Sequence, residues 1–151
     1  ALHWAGAGIL AAFALDPLDI QCLQTVQGAR LMLEKVCSLD PNYSGGATWE
    51  ILAKFYTSAP DSLGGNTEKA EMAYKKALEL SQGKSPSIYV TYALSFCVPK
   101  QDGKGFDDAI EKALAINPES DPDNKLVISI SQRYAEWLKE NKEIFILGDI
   151  E

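Results

Sequence analysis

The sequence predicts an all-α protein built from antiparallel helix pairs and closed by a long C-terminal helix. Three observations carry that expectation. Trp49, Leu52, Ala53 and Tyr56 stand at i, i+3, i+4 and i+7, one face of a helix with aromatics at both ends and a small residue between them. Such a face lets a second helix approach closely while the aromatics fill the groove beside it. A different pattern recurs on the alternate helices. Ala29, Leu33, Val36 and Pro41 match Phe106, Ile110, Ala113 and Pro118 step for step, with Ala70, Tyr74 and Ala77 between them. Prolines, several with glycines beside them, fall between the periodic stretches.

Taken in order, the first helix is expected over His3 to Leu15, where Trp4, Ala7, Gly8 and Ala11 fall at the offsets of Trp49, Leu52, Ala53 and Tyr56. Asp16-Pro17 stops it, because the residue before proline is pushed out of the α region. A second helix runs from about Leu18 or Leu23 to Leu39 and ends at Asp40-Pro41-Asn42-Tyr43; Gly45-Gly46 allows the turn. The third spans Ala47 to about Ser58. The Pro60-Asp61-Ser62-Leu63-Gly64-Gly65 loop follows, and Asn66 or Thr67 caps a fourth helix to about Leu80. A fifth, capped by Ser85 or Ser87, runs from Ser87 to Val98 with Tyr89, Tyr92, Ala93 and Phe96 in the packing offsets. After the loop Pro99–Lys104, a sixth covers Phe106 to Ile116 and closes at Asn117-Pro118. The last starts near Asp123 and runs to about Lys142, with Leu126, Ile130, Tyr134, Trp137 and Leu138 as its apolar line.

The spacing W-x2-L-A-x2-Y resembles the first helix of a tetratricopeptide (TPR) unit. The resemblance implies helix pairs at about 1–41, 47–82 and 87–118 stacked in a right-handed superhelix, followed by a C-terminal helix at about 123–142, all in one domain over 1–151. From Ala29 to Ala70 is 41 residues and from Ala70 to Phe106 is 36, against a usual period of about 34. Loop insertions, Leu63-Gly64-Gly65 among them, account for the excess. The packing residues are then Trp4, Gly8, Trp49, Leu52, Ala53, Tyr56, Ala70, Tyr74, Ala77, Tyr89, Ala93 and Phe96. An ordinary bundle of compositionally similar helices is the alternative, but composition alone does not keep two classes of helix alternating in register.

Bulk properties narrow the partners. A chain of 151 residues with 46% hydrophobic content suits one domain with its own core. Net charge is -7 and the only arginines are Arg30 and Arg133, so no basic stripe exists to neutralise phosphates or an anionic membrane surface. Cys22, Cys37 and Cys97 cannot all pair within one chain and show no metal-ligand spacing; each is expected as a small buried hydrophobe. The apolar run from Trp4 to Leu15 is too short to span a bilayer and lacks a basic region before it. With no initiator Met, the sequence reads as part of a longer protein.

A longer pattern surrounds the repeats. It includes Asp16-Pro17-Leu18-Asp19, Leu39-Asp40-Pro41-Asn42-Tyr43, and Pro60-x2-Leu63-Gly64-Gly65-Asn66-x2-Lys69-Ala70. It continues through Ala77-Leu78-Glu79-Leu80-Ser81 and Asn124-Lys125-Leu126 to Arg133, Ala135, Trp137, Leu138 and Phe145. Over essentially the whole chain this resembles the TPR-bearing T component of tripartite ATP-independent periplasmic (TRAP) transporters, the TatT family, in the C-terminal part of its domain. The resemblance implies a lipid-anchored periplasmic protein associated with the transporter's solute-binding component, a possible homotrimer, and a cavity for a hydrophobic small molecule. Cys22 and Cys37 are internal and do not correspond to a lipobox cysteine.

Catalysis finds little material. His3 is the only histidine, so neither a Ser/His/Asp nor a Cys/His set can be assembled without it. Asp107-Asp108 and Asp121-x-Asp123 read as acids near helix starts, and no calcium-loop spacing accompanies them. Gly45-Gly46 and Gly64-Gly65 lack a phosphate-loop context. The expectation is no enzyme, no metal and no cofactor. Binding suits a stacked helical solenoid, whose curvature makes a long concave surface. Carrying the TPR inner face onto this chain gives Leu2, Ala5, Ile9, Ala12 and Phe13 on the first helix. The third helix offers Ala47, Glu50, Lys54 and Thr57, and the fifth offers Val90, Leu94, Cys97 and Val98. Two of the three groups are apolar, so Leu2, Ala5, Ile9, Phe13, Val90, Leu94, Cys97 and Val98 are the candidate lining of an apolar cavity, or a surface covered by other helices. Lys54 is the only cation in the set, which disfavours a clamp for a C-terminal carboxylate. An alternative function is a TPR protein-interaction module with no small-molecule site, for which Asp61, Glu68 and Glu71 form a candidate acidic patch.

Overall fold

A computed structural model describes residues 1–148; the last three positions of the expected domain lie outside the described residues. Those residues are all-helical, with seven α-helices and no strand among them. They are α1 (Leu2–Leu15), α2 (Ile20–Leu39), α3 (Ala47–Ser58), α4 (Thr67–Leu80), α5 (Pro86–Tyr92), α6 (Gly103–Leu114) and α7 (Lys125–Glu140). The chain forms two compact units, Ala1–Leu80 and Ser81–Glu151.

In the first unit α1 pairs with α2 and α3 with α4. Side chains fix the helix starts: Asp19 accepts the Cys22 N–H at 2.8 Å and Asn66 accepts the Lys69 N–H at 2.8 Å, each satisfying an otherwise orphaned donor. The Cys22 N–H also holds the Asp19 carboxyl below its ordinary pKa. Val26, Ala29, Leu33, Leu52, Ala53, Phe55, Tyr56, Ala70, Ala73 and Ala77 are buried. Gly65 has no room for a side chain: a Cβ there would meet the Ala59 carbonyl oxygen at 1.8 Å, so the 60–65 loop can fold back against the end of α3 only with glycine at that position.

The register of α1 departs from the expected one. His3, Gly6, Leu10 and Phe13 turn inward, while Trp4 and Gly8 face outward, Trp4 being 73% exposed. The reason is shape. A Cβ on Gly6 would come within 2.9 Å of Leu33 Cγ and 3.0 Å of the Ala29 carbonyl, so this glycine, not Gly8, is where α2 approaches most closely.

In the second unit, Val90, Ala93, Cys97, Phe106, Ala109, Ile110, Ala113, Ala135, Leu138 and Ile146 form one core, with Tyr89, Leu94 and Val98 packed against it. Asp102 caps α6 by accepting the Gly105 N–H at 2.8 Å, which starts the helix three residues before the expected Phe106. Gln132 of α7 donates its amide to the carbonyls of Ala113, Leu114 and Ile116 at 3.2, 3.2 and 2.6 Å, meeting acceptors that a helix end leaves open. The stretch expected as one helix from Ser87 to Val98 is not uniform. It passes at Ala93 into a π-helical segment, Ala93–Cys97, and then a 3-10 turn, Val98–Lys100. Pro99 supplies no N–H, and its ring crowds the carbonyl four residues earlier. The Val98 N–H accordingly reaches the Ala93 carbonyl, five residues back.

Candidate functional site

The single histidine and two of the three cysteines are buried. His3 lies inside the first unit, its Nδ1 2.9 Å from the Thr48 hydroxyl, with Trp4 at 5.1 Å and Tyr43 at 5.0 Å between ring centroids. Burial lowers its pKa, which favours the neutral ring. Burial pushes the Cys37 and Cys97 thiols up to about 11, with the charges of Glu34 and Asp102 adding to the effect. Neither is a thiolate near neutral pH, so neither has the nucleophilic form. Cys22, half-buried, is also raised by burial and by Asp19. No group of three metal-ligating side chains occurs among the described residues.

A polar cluster ties α2 to α3. The Tyr56 hydroxyl donates to Glu34 Oε1 at 2.5 Å, Arg30 Nη1 reaches the same oxygen at 2.6 Å, and Arg30 Nε donates to Gln27 at 3.1 Å. Burial first, and then Glu34, drive the Tyr56 pKa well above that of an ordinary phenol, so the hydroxyl stays a donor. Lys69 sits 5.7 Å over the same ring. The Tyr56–Glu34 bond crosses from α3 to α2, which makes this network a structural tie between the two helices.

Two helices also leave apolar side chains open to solvent. On α1, Trp4, Ala5, Gly8, Ala11, Ala12 and Leu15 face outward, and the helix carries no charged residue. On α7, the expected apolar line divides. Leu138 packs inward with Ile128 and Ala135, whereas Leu126, Ile130, Tyr134 and Trp137 are exposed. Tyr134 and Trp137 stack at 6.0 Å with a 10° interplanar angle, and Phe145 meets Trp137 edge-on at 6.0 Å. A shallow open groove on α3 and α4 is lined by Trp49 and Met72 among Glu68, Glu71, Lys75, Lys76 and Glu79. Two members of the suggested acidic patch thus border an aromatic and a thioether, and the third, Asp61, is exposed on the preceding loop.

The candidate inner-face residues fall in different environments. Leu2 and Ala5 are exposed and Ile9 is half-buried, while Phe13 is buried with Phe55 6.5 Å away. In the second unit Val90 and Cys97 are core residues, with Leu94 and Val98 against them. On α3, Glu50 is buried and pairs with Lys54 at 2.9 Å. Of the packing residues, Leu52, Ala53, Tyr56, Ala70, Ala77, Ala93 and Phe96 are buried and Trp49, Tyr74 and Tyr89 half-buried. Periodicity missed the bare faces of α1 and α7. On α1 the single polar residue, His3, turns inward, so no exposed polar position marks the outer side. On α7 the inward side is marked by Gln132 and Ala135, weak signals beside an aromatic stripe.

The sequence matches the family model for the TRAP transporter T-component (TAtT) over residues 1–145. An uncharacterized protein of Treponema pallidum (strain Nichols) is 45% identical over 146 residues, covering 97% of this chain and 45% of that protein. The chain therefore spans less than half the length of this relative.

Proposed function

This chain belongs to the TRAP transporter T-component family, and from that premise we propose that it is a non-enzymatic accessory part of such a transporter, docking the solute-binding component at the periplasmic side of the membrane. The observation that supports docking is the pair of bare apolar faces: the uncharged outer side of α1 and the stacked Tyr134 and Trp137 on α7. Clusters of exposed aromatic and aliphatic side chains are typical of surfaces that bury partners. No helix among the described residues is long and apolar enough to cross a membrane. Attachment by a lipid anchor outside this chain fits that, and is part of the proposal.

A hydrophobic small molecule has less surface to use. Leu2, Ala5 and Ile9 offer partly open apolar area, but Phe13, Val90 and Cys97 are filled by the protein's own packing. That burial favours the alternative reading, an interaction module that holds no small molecule. Titration of the chain with the solute-binding component, read by native mass spectrometry, tests docking: a stoichiometric complex is expected, and no complex at tens of micromolar overturns it. Titration with a C16 fatty acid, followed by tryptophan fluorescence, tests the ligand. Saturable binding weakened by Ile9→Asp supports a cavity; no binding leaves the interaction module.

A further inference from the structure

Beyond α7 the chain returns to α6 as a short strap, residues 142–148. It begins with a 3-10 turn, Lys142–Ile144. Ile146 enters the core of the second unit, while Ile144 and Leu147 stay exposed. Gln101, in the loop before α6, commits its whole side-chain amide to the closure. Its Nε2 donates to the Phe145 carbonyl at 3.1 Å and to the Val98 carbonyl at 2.8 Å, and its Oε1 accepts the Leu147 N–H at 2.8 Å. The Phe145 carbonyl and the Leu147 N–H flank Ile146, the two groups that a residue on a neighbouring parallel strand would take. One amide thus stands in for a strand and sets Ile146 in its socket.

The remaining anchors are slight. Gly103 borders the socket, where a Cβ would lie 3.3 Å from Ile146 Cγ2. Lys142 reaches Asp107 at 2.6 Å, a partly exposed pair that water screens. Gln101 itself is held at φ 53°, a left-handed conformation disfavoured for a residue with a Cβ. An open cleft of about 610 Å³, lined by Gln101, Lys104, Asp107 and Glu143 among others, brings water to the strap. One buried side chain and one amide therefore fasten a segment that can open at less cost than the core it plugs. Opening reaches the surface of α7 as well. Phe145 meets Trp137 edge-on and Trp137 stacks on Tyr134, so the strap supplies the third ring of that aromatic stripe. We propose that residues 142–148 are a releasable strap with Gln101 as its catch, whose state decides whether the α7 stripe presents two rings or three. The inference rests on the fold of the second unit and not on the transporter role.

Native-state hydrogen exchange of the 151-residue chain, followed by NMR at low urea concentrations, tests it. The Ile146 N–H is bonded to the Lys142 carbonyl at 2.9 Å and not to Gln101, so it reports on the strap as a unit. It should be protected, yet exchange about 100-fold faster than the amides of Ala113 and Leu138 and with little dependence on urea. Gln101→Met keeps the length of the side chain and removes the amide. It should speed Ile146 exchange about 10-fold further, leave the amides within α6 and α7 unchanged, and shift the Trp137 indole resonance as Phe145 moves. Exchange of Ile146 at the rate and urea dependence of Leu138 overturns the proposal, because the strap would then open only with the whole unit. An unprotected Ile146 N–H overturns it too, since the strap would not close. An Ile146 rate indifferent to Gln101→Met removes Gln101 as the catch, and an unmoved Trp137 resonance removes the link to the stripe.

Discussion

The first and last helices, α1 and α7, each bury one side and leave an apolar stripe in solvent, but they reach that state from opposite kinds of sequence. α1 is apolar except at His3, so hydrophobicity does not choose its inner face; the close fit of Gly6 against Leu33 and the His3–Thr48 hydrogen bond do. α7 is amphipathic and places polar and charged groups, Arg133 and Glu136 among them, around its stripe. Its inner face is set by Ile128, Ala135 and Leu138 and by the amide of Gln132. A helix whose outer surface is uncharged must meet something nonpolar to stay soluble. A helix with charges beside its stripe can wait for a partner.

Substitutions on the two helices can sharpen that contrast. The largest effect is expected at Leu138, fully buried in the core of the second unit, where truncation to Ala leaves a cavity. Leu138→Ala should cost about 3 kcal/mol in urea unfolding. On α1 the sensitive site is a glycine. Gly6→Val forces Leu33 and the α2 backbone aside and should cost about 2 kcal/mol, whereas Gly8→Val, into open space, should cost well under half of that. Equal losses at Gly6 and Gly8 would mean that α1 is not seated as described. Gln132→Ala should remove roughly 1 to 2 kcal/mol, because three carbonyls at the end of α6 lose their donor. Hydrogen exchange should show the loss concentrated where α6 ends.

Acidity should separate the units further. The folded state holds His3 below its ordinary pKa of 6.5, so the unfolded chain binds the proton more readily. The neutral ring's contribution is complete above about pH 6.5 and is lost as pH falls through the lowered folded value. The midpoint of thermal unfolding in the first unit should fall over that window, and His3→Gln should flatten the fall. Asp19 and Asp108 are likewise lowered, below 3.8, so their contributions fade only in stronger acid. The smallest effect is expected on the α7 stripe. Ile130→Lys should change stability by no more than about 0.5 kcal/mol, yet it should weaken any complex formed through that face.

These contrasts also explain what was legible in the sequence. Some helix boundaries were: α2 ends at Leu39 before Asp40-Pro41, and α3 spans Ala47 to Ser58, because caps, prolines and glycines act within a few residues, whereas α5 and α6 departed from theirs. Which way each helix faces was legible on α3, where Leu52, Ala53 and Tyr56 are buried as their spacing requires, and on α6, where Phe106, Ile110 and Ala113 are. It was not legible on α1, because Gly6 and Gly8 look alike until Leu33 is placed against one of them. The candidate inner face was drawn from uninterrupted α-helical geometry, and Val90 and Cys97 instead belong to the core of their unit.

The π-helical segment at Ala93–Cys97 has a consequence for the chain's tolerance of length change. A π turn holds about one residue more than an α turn, so this stretch stores a single residue of slack immediately before Pro99. Deleting one residue there could be absorbed by tightening the coil to α-helical winding, whereas the same deletion in α3 would rotate its packing face by about 100°. Relatives that differ in length by one residue in this region can therefore share the same core.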